Sequence, residues 1–165
     1  MIFQQEKTLQ TGTLFKFKTQ PIDPNDPFRG KYVVLNYAAN VVDLDSKQSW
    51  AYGEGVYARI VEGTDGFAKI GSLEKFPPIG DTHYVKVEIA NIFGENPLQA
   101  RINFPFSRFY MEEHKAPKAE ALMRELSRDS SKVFYSLVFV HKGKAALEDV
   151  MLGDISLKEA VMEIE

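Results

Sequence analysis

The sequence predicts an α+β protein that is mainly β, an antiparallel and strongly curved or barrel-like sheet with one main helix packed on it. Three observations lead to this class. About eight short segments are strand-like, several of them alternating apolar and polar residues with the period of two that marks a half-buried strand. Only one stretch has clear helical periodicity. Glycine-containing turn signals lie between neighbouring segments, and they favour hairpins and antiparallel pairing.

The strands begin with segment 11–20, in which Phe15 and Phe17 face one side and lysines face the other. Residues 63–66, Gly-Thr-Asp-Gly, are typical of a hairpin turn between two strands. Pro105 interrupts the sixth segment, because proline cannot donate to a strand ladder. The remaining predicted strands cover 31–37, 54–62, 66–73, 84–92, 99–111, 132–140 and 145–152.

One helix is predicted over 117–129. Pro117 suits a first-turn position, and the apolar residues that follow it recur at helical spacing, at Ala119, Leu122, Met123 and Leu126. Residues 156–165 fit either an edge strand or a short helix, and both alternatives stay open.

Length and composition indicate a single globular domain over residues 1–165. The chain is 44% hydrophobic and 12% aromatic, and its net charge is −3 with scattered basic residues, which argues against nucleic-acid binding. It has no cysteine, which excludes disulfides, thiolate metal sites and a cysteine nucleophile. No apolar run is long enough to span a membrane.

Motifs for catalysis are lacking in the sequence. The histidines His83, His114 and His141 stand apart from one another and from any metal-binding spacing. Ser72 and Lys75 match a Ser-x-x-Lys spelling but lie beside a proline-rich loop without partner motifs. The sequence therefore predicts no catalytic residue, no metal site and no cofactor.

The stretch DPNDPFRGKYVVLNY, residues 23–37, places a rigid polar corner ahead of a strand. Asp23 and Asp26 could offer oxygen ligands to a hard cation. A turn is the better interpretation, because Asp and Asn beside proline satisfy nearby backbone donors. Arg29 is expected to reach back to these carboxylates, and Gly30 allows close backbone approach. The corner then sets the angle and register of the strand.

Two tyrosines of that strand, Tyr32 and Tyr37, fall on opposite faces. One ring is expected to pack inside, and the other to line a surface groove.

These residues carry a resemblance. GKYVVLNY (30–37) resembles the motif of the bacterial GDYXXLXY family, with Lys31 in place of the motif's aspartate. The lead-in PIDPNDPFR (21–29) is similar to that of the family, and SRFYMEE (107–113) resembles its second block. ALEDVMLG (146–153) is similar to its last strand. Lysine at position 31 favours a structural role for that position, at the solvent end of the turn.

The family has no established activity. Its members typically carry an N-terminal membrane anchor and an extracytoplasmic domain, and some are associated with multi-spanning membrane proteins. The resemblance therefore implies an anchor of about 20 apolar residues ahead of Met1. Together with the lack of catalytic motifs, it favours a non-enzymatic accessory or binding module for such a partner. If the natural chain begins at Met1, a cytoplasmic binding protein becomes the better hypothesis. The oligomeric state is left open.

The candidate binding residues lie in the motif region and its second block, and they are Asp23, Asp26, Arg29, Gly30, Tyr32, Tyr37 and Arg108. The alternative function is an enzyme, or a degenerate enzyme, on a β scaffold like that of signal peptidases. Ile22 stands where those peptidases have their serine nucleophile, so the acyl-transfer chemistry lacks its hydroxyl.

Overall fold

The computed structural model describes residues 12–19, 32–110, 118, 121, 133–157 and 159–160, and for residues 32–34 and 110 it describes the backbone only. This part of the chain contains eleven strands. They are β1 (Thr13–Lys18), β2 (Tyr32–Val34), β3 (Val41–Asp43), β4 (Gly55–Glu62), β5 (Ala68–Glu74), β6 (Tyr84–Phe93), β7 (Gln99–Asn103), β8 (Arg108–Tyr110), β9 (Phe134–His141), β10 (Lys144–Leu152) and β11 (Ile155–Ser156).

Antiparallel pairing organises these strands into three sheets. The orders are β1-β9-β10-β11, β2-β8 and β3-β7-β6-β4-β5. An isolated bridge between Val85 and Gly143 joins the five-stranded sheet to the four-stranded one, and a bridge between Thr19 and Tyr37 joins β1 to the chain after β2. The result is a nearly closed, barrel-like sheet, which confirms the predicted mainly β class.

The first strand shows how alternation becomes burial. Phe15 and Phe17 of β1 are buried, while Leu14 and the lysines face outward. Phe17 lies opposite Ser136 of β9, and both side chains point into the core, since directly opposed residues share one face. Alternation along β9 is equally strict, so β1 and β9 close one wall of the barrel.

Four aromatic side chains form the centre of the core. Phe17, Tyr37, Phe104 and Phe106 lie with ring centroids 4.9–5.9 Å apart, and most of the pairs are edge-to-face. This geometry suits the ring quadrupoles, and each ring removes a large apolar area from water. We call these four residues the aromatic cluster. Aliphatic residues of β4, β6 and β9 surround it.

The predicted strands are largely confirmed. The break predicted at Pro105 within segment 99–111 is also confirmed, because the chain turns there between β7 and β8. The predicted 31–37 strand ends at Val34, after which the chain leaves the ladder to reach Thr19. The hairpin at 63–66 is confirmed by the hydrogen bonds from Gly63 N to Phe67 O and from Gly66 N to Gly63 O.

Two short strands, β3 and β11, were not predicted. Each has only two or three residues, too few for alternation to stand out, and each takes its place from its partner strand. Of the predicted helix 117–129 only Lys118 and Ala121 are described, so that helix stays a prediction. The choice between strand and helix at 156–165 also falls mostly outside the described residues.

Candidate functional site

Tyr37, one of the two tyrosines of the motif, faces inward. Its side chain is buried in the aromatic cluster, and its hydroxyl donates to the Phe106 carbonyl at 2.8 Å and lies 3.0 Å from Ser136 Oγ. Burial raises the pKa of the Tyr37 hydroxyl well above its ordinary value, and the hydrogen bond with Ser136 opposes only part of that rise. Within the described structure, Tyr37 is a core residue that joins three segments.

The other predicted binding residues divide into two groups. Tyr32 and Arg108 lie on the paired strands β2 and β8, where Tyr32 is opposite Tyr110 and Val34 is opposite Arg108. The two motif blocks of the sequence are therefore neighbours in space. Asp23, Asp26, Arg29 and Gly30 lie outside the described residues, so the proposed corner, its hydrogen bonds and its role in binding stay predictions.

A concave surface lies elsewhere, where the chain between β3 and β4 meets the end of β5. It is an open cleft of about 570 Å³. Its lining comes from Gln48, from Arg59 of β4, from Leu73 and Glu74 of β5, and from the loop 75–79. We call it the rim cleft.

The conformation of the loop at the rim cleft follows from its local sequence. Pro77 and Pro78 cannot donate to a ladder, so β5 ends before them. Gly80 then turns the chain with a φ of +80°, a conformation that glycine adopts without strain. Asp81 Oδ1 accepts a hydrogen bond from His83 N at 2.8 Å, which closes the turn before β6.

Lys75 fastens this loop to the chain between β3 and β4. Its Nζ lies 2.7 Å from Glu54 Oε2, donates to the Ser49 carbonyl and stands 4.4 Å from the centre of the Trp50 ring. The hydrogen bond from Lys75 is the main reason that the pKa of the Glu54 carboxyl lies below its ordinary value. The two sides of the cleft are thus held together by one ammonium group.

Arg59 shares its guanidinium between two carboxylates. Nε lies 2.8 Å from Glu74 Oε2, and Nη1 lies 3.1 Å from Asp81 Oδ2. The hydrogen bond with Glu74, with smaller contributions from the two negative charges, raises the pKa of Arg59. These three side chains are 27–36% exposed, so the group lies at the surface of the cleft and not in the core.

The lip of the cleft is apolar and exposed. Phe76 is 80% exposed and Ile79 is 99% exposed, although each is a large hydrophobic side chain. Pro78, between them, is buried and anchors the loop. Isolated apolar residues on a surface need no explanation, but two on one stiff loop beside a cleft are a feature of interaction sites.

A second polar contact joins β1 to the start of β6. Thr13 Oγ1 lies 3.0 Å from His83 Nε2, and the His83 ring packs edge-on against Phe15. A hydroxyl beside an imidazole is the beginning of a nucleophile–base pair, which also needs a group that orients the imidazole. The nearby Asp81 uses its oxygens on His83 N and on Arg59. Among the described residues, no carboxylate orients this ring.

The sequence analysis did not predict the residues of the rim cleft as a site. Arg59, Glu74 and Asp81 are distant in sequence, and only the β4–β5 pairing and the following turn bring them together. The one available signal was Phe-Pro-Pro-Ile at 76–79, an apolar run with two prolines between two predicted strands. Lys75, matched there to a Ser-x-x-Lys spelling, instead forms an ion pair with Glu54.

Two features are absent from the described residues. Within them, no group of three or more His, Asp or Glu side chains is arranged to hold a metal ion. In the same part of the chain, no helix combines the length and the apolar character that crossing a membrane requires.

Comparison with known proteins gives one match. A family model described as GDYXXLXY protein matches residues 1–150, which is most of the chain. Neither the curated proteins nor the solved structures contain a significant match to this sequence.

Proposed function

The chain belongs to the GDYXXLXY protein family, and we propose that its domain is a non-enzymatic binding or accessory module for a membrane-protein partner. In this proposal the domain stands on the extracytoplasmic face of the cytoplasmic membrane, behind an N-terminal anchor. The partner is a multi-spanning membrane protein, as the family resemblance implies. The binding surface is the rim cleft with its apolar lip.

One observation carries the proposal: the side chains of Phe76 and Ile79 are exposed to solvent on a proline-restricted loop. Exposing two large apolar side chains contributes nothing to the stability of the isolated domain, whereas their burial by a partner would be favourable. The loop is also shaped before binding, because two prolines restrict it and Lys75 and Asp81 fasten its two ends.

The charges of the cleft support binding over catalysis. Lys75 is paired with Glu54, and Arg59 is paired with Glu74 and Asp81. A lysine that is held as an ammonium in an ion pair is a poor general base, and an arginine stays protonated. The charged groups of the cleft are thus arranged to orient and recognise another molecule.

A membrane anchor would make a modest cleft sufficient. A domain that is tethered in the same membrane as its partner meets it at a high effective concentration, so a weak contact at the lip can still be populated. This requires no large interface.

Site-specific photo-crosslinking in intact membranes tests the partner. A photo-reactive amino acid replaces Ile79 in the full-length protein, and a matched variant carries it at Ile155, a 40% exposed isoleucine of β11. We expect a crosslink to a membrane protein from position 79 and none from position 155. Absence of crosslinks from position 79, or the same products from both positions, would refute the proposed role.

Location is tested separately. A reporter enzyme that is active only outside the cytoplasm is fused after the C-terminus of the natural gene product. We expect reporter activity, together with fractionation into the membrane. An inactive reporter with soluble protein would overturn the proposed location and favour a cytoplasmic binding protein.

A further inference from the structure

We propose that the rim cleft recognises a partner segment in which a basic side chain, Lys or Arg, stands next to a bulky apolar side chain. This inference rests on the proposed binding function and names the chemistry of the ligand. It commits to a polypeptide segment, and contact with a lipid surface is treated as an outcome that would contradict it.

The charge of the cleft points to a cation. Arg59 carries one positive charge against the two carboxylates of Glu74 and Asp81, while Lys75 and Glu54 cancel each other. One negative charge is therefore left over in this group. A basic side chain of the partner would compensate it.

The Glu74 carboxylate is the group in the cleft that would bind the cation. Its Oε2 accepts the hydrogen bond from Arg59, whereas Oε1 has no partner among the described residues. The side chain lines the cleft and is 36% exposed, so a ligand in the cleft can reach the Glu74 carboxylate. An added ammonium or guanidinium can bind there without displacing Arg59.

The apolar lip accounts for the second half of the ligand. Phe76 and Ile79 offer apolar surface at the edge of the cleft that Glu74 lines. A lysine or arginine stem can lie along such a surface while its charged head reaches a carboxylate. Arginine can also stack on the Phe76 ring. The proline-restricted loop lowers the ordering cost of binding.

Charge also disfavours a lipid bilayer as the occupant. Membrane surfaces that contain anionic lipids carry a negative potential, which attracts basic segments. The residual charge of the rim cleft is negative, so anionic headgroups would be repelled from the surface behind the lip. The concave shape likewise suits a protruding chain better than a flat headgroup layer.

The test is an NMR titration of the isotope-labelled 165-residue chain with three blocked dipeptides. These are N-acetyl-leucyl-arginine amide, its citrulline analogue, which has nearly the same shape without the charge, and its glutamate analogue. We expect shifts at the backbone amides of Leu73, Glu74, Phe76 and Ile79. The citrulline peptide should bind about fivefold more weakly, the size expected for one solvent-exposed ion pair, and the glutamate peptide more weakly still.

Two variants assign the contributions. Glu74→Gln should bring the arginine and citrulline peptides to nearly equal affinity. Ile79→Ser should weaken both by a similar factor. The matched controls, Glu88→Gln on exposed β6 surface and Ile155→Ser on β11, should bind like the parent.

Three results would overturn the inference. These are equal affinity of the parent for the arginine and citrulline peptides, shifts centred away from 73–81, and binding to phosphatidylglycerol vesicles that is lost in Ile79→Ser. A negative titration beside a positive crosslink from position 79 would reject this ligand chemistry and leave the accessory role standing. A charge-selective titration without any crosslink would reject the membrane partner instead.

Discussion

Tyr37 and Ser136 lie 99 positions apart in the sequence, and their hydroxyl oxygens are 3.0 Å apart in the core. Both side chains are buried, and Tyr37 also donates to the Phe106 carbonyl. One phenol group therefore ties the chain after β2, the chain before β8 and the strand β9 at one point. Such a buried polar junction is stabilising only while every member has its partner.

Tyr37→Phe should destabilise the domain by about 1–3 kcal/mol, because the Phe106 carbonyl and the Ser136 hydroxyl lose a partner inside the core. Urea unfolding measures the loss. Tyr52→Phe is the matched control, since Tyr52 is 68% exposed and its hydroxyl lies 3.4 Å from the Ile92 carbonyl. The control should stay within about 0.5 kcal/mol of the parent. Equal losses in the two variants would contradict the role of burial.

Alkaline pH should narrow the difference in stability between the parent and Tyr37→Phe. The folded state raises the pKa of Tyr37 above its unfolded value of about 10. The contribution of this group is therefore fully present below pH 10 and is lost as pH rises beyond it, since the unfolded chain releases the proton more readily. The free energy of unfolding of the parent should fall more steeply above pH 10 than that of Tyr37→Phe. Parallel curves would refute this.

The junction of Lys75 and Glu54 should respond to acid. The folded pKa of Glu54 lies below its ordinary value, so its ion pair is present above that value and is lost as pH falls through the folded pKa. Trp50, the single tryptophan, faces Lys75 and reports the change by fluorescence. We expect a transition below about pH 4.5 that disappears in Glu54→Gln. A transition that persists in Glu54→Gln would assign it to another group.

Two isoleucines should differ widely under the same substitution. Ile89 is fully buried, and Ile89→Ala should cost about 2–5 kcal/mol through lost burial and the resulting cavity. Ile79 is 99% exposed, and Ile79→Ala should change stability by less than about 0.5 kcal/mol. Thermal and urea unfolding check both. A large loss at Ile79 would mean that the lip supports the fold.

Gly94 should tolerate no side chain. Its φ is +80°, and a β-carbon there would lie 2.7 Å from the Pro97 carbonyl oxygen. Gly94→Ala therefore adds a clash to the backbone strain of about 1–2 kcal/mol that any L-residue has in this region. Gly53→Ala, at φ +75° with open space around it, has the strain without the clash. Unfolding experiments should rank Gly94→Ala as the less stable variant, and the reverse order would refute the clash.

The fold class was predictable because alternating apolar and polar residues show which face of a strand is buried. β1 and β6 alternate in sequence and in burial, so period-two patterning was sufficient for them. In β9 the burial alternates although nearly all of its residues are apolar. β3 and β11 were not predictable, because strands of two or three residues take their conformation from a partner. Local sequence carries no information about such pairing.

The candidate site was less predictable than the fold. Burial of one tyrosine of the motif was anticipated, and Tyr37 has it. The rim cleft depends on the ion pairs of Arg59 with Glu74 and Asp81. These require the β4–β5 register and the turn in which Asp81 accepts a hydrogen bond from His83 N. Long-range pairing creates that arrangement, and no spacing in the sequence encodes it.

The pairing of β1 with β9 has a consequence for the timing of folding. Thr13 lies opposite Val140, so one wall of the barrel joins the first described strand to one of the last. During synthesis β1 lacks its described strand partner until β9 has emerged, although the contacts of Phe17 with Tyr37, Phe104 and Phe106 involve residues made earlier. Folding that depends on such distant contacts is slow, and the incompletely folded nascent chain exposes unpaired strand edges. A chaperone that holds the nascent chain would act mainly in this interval.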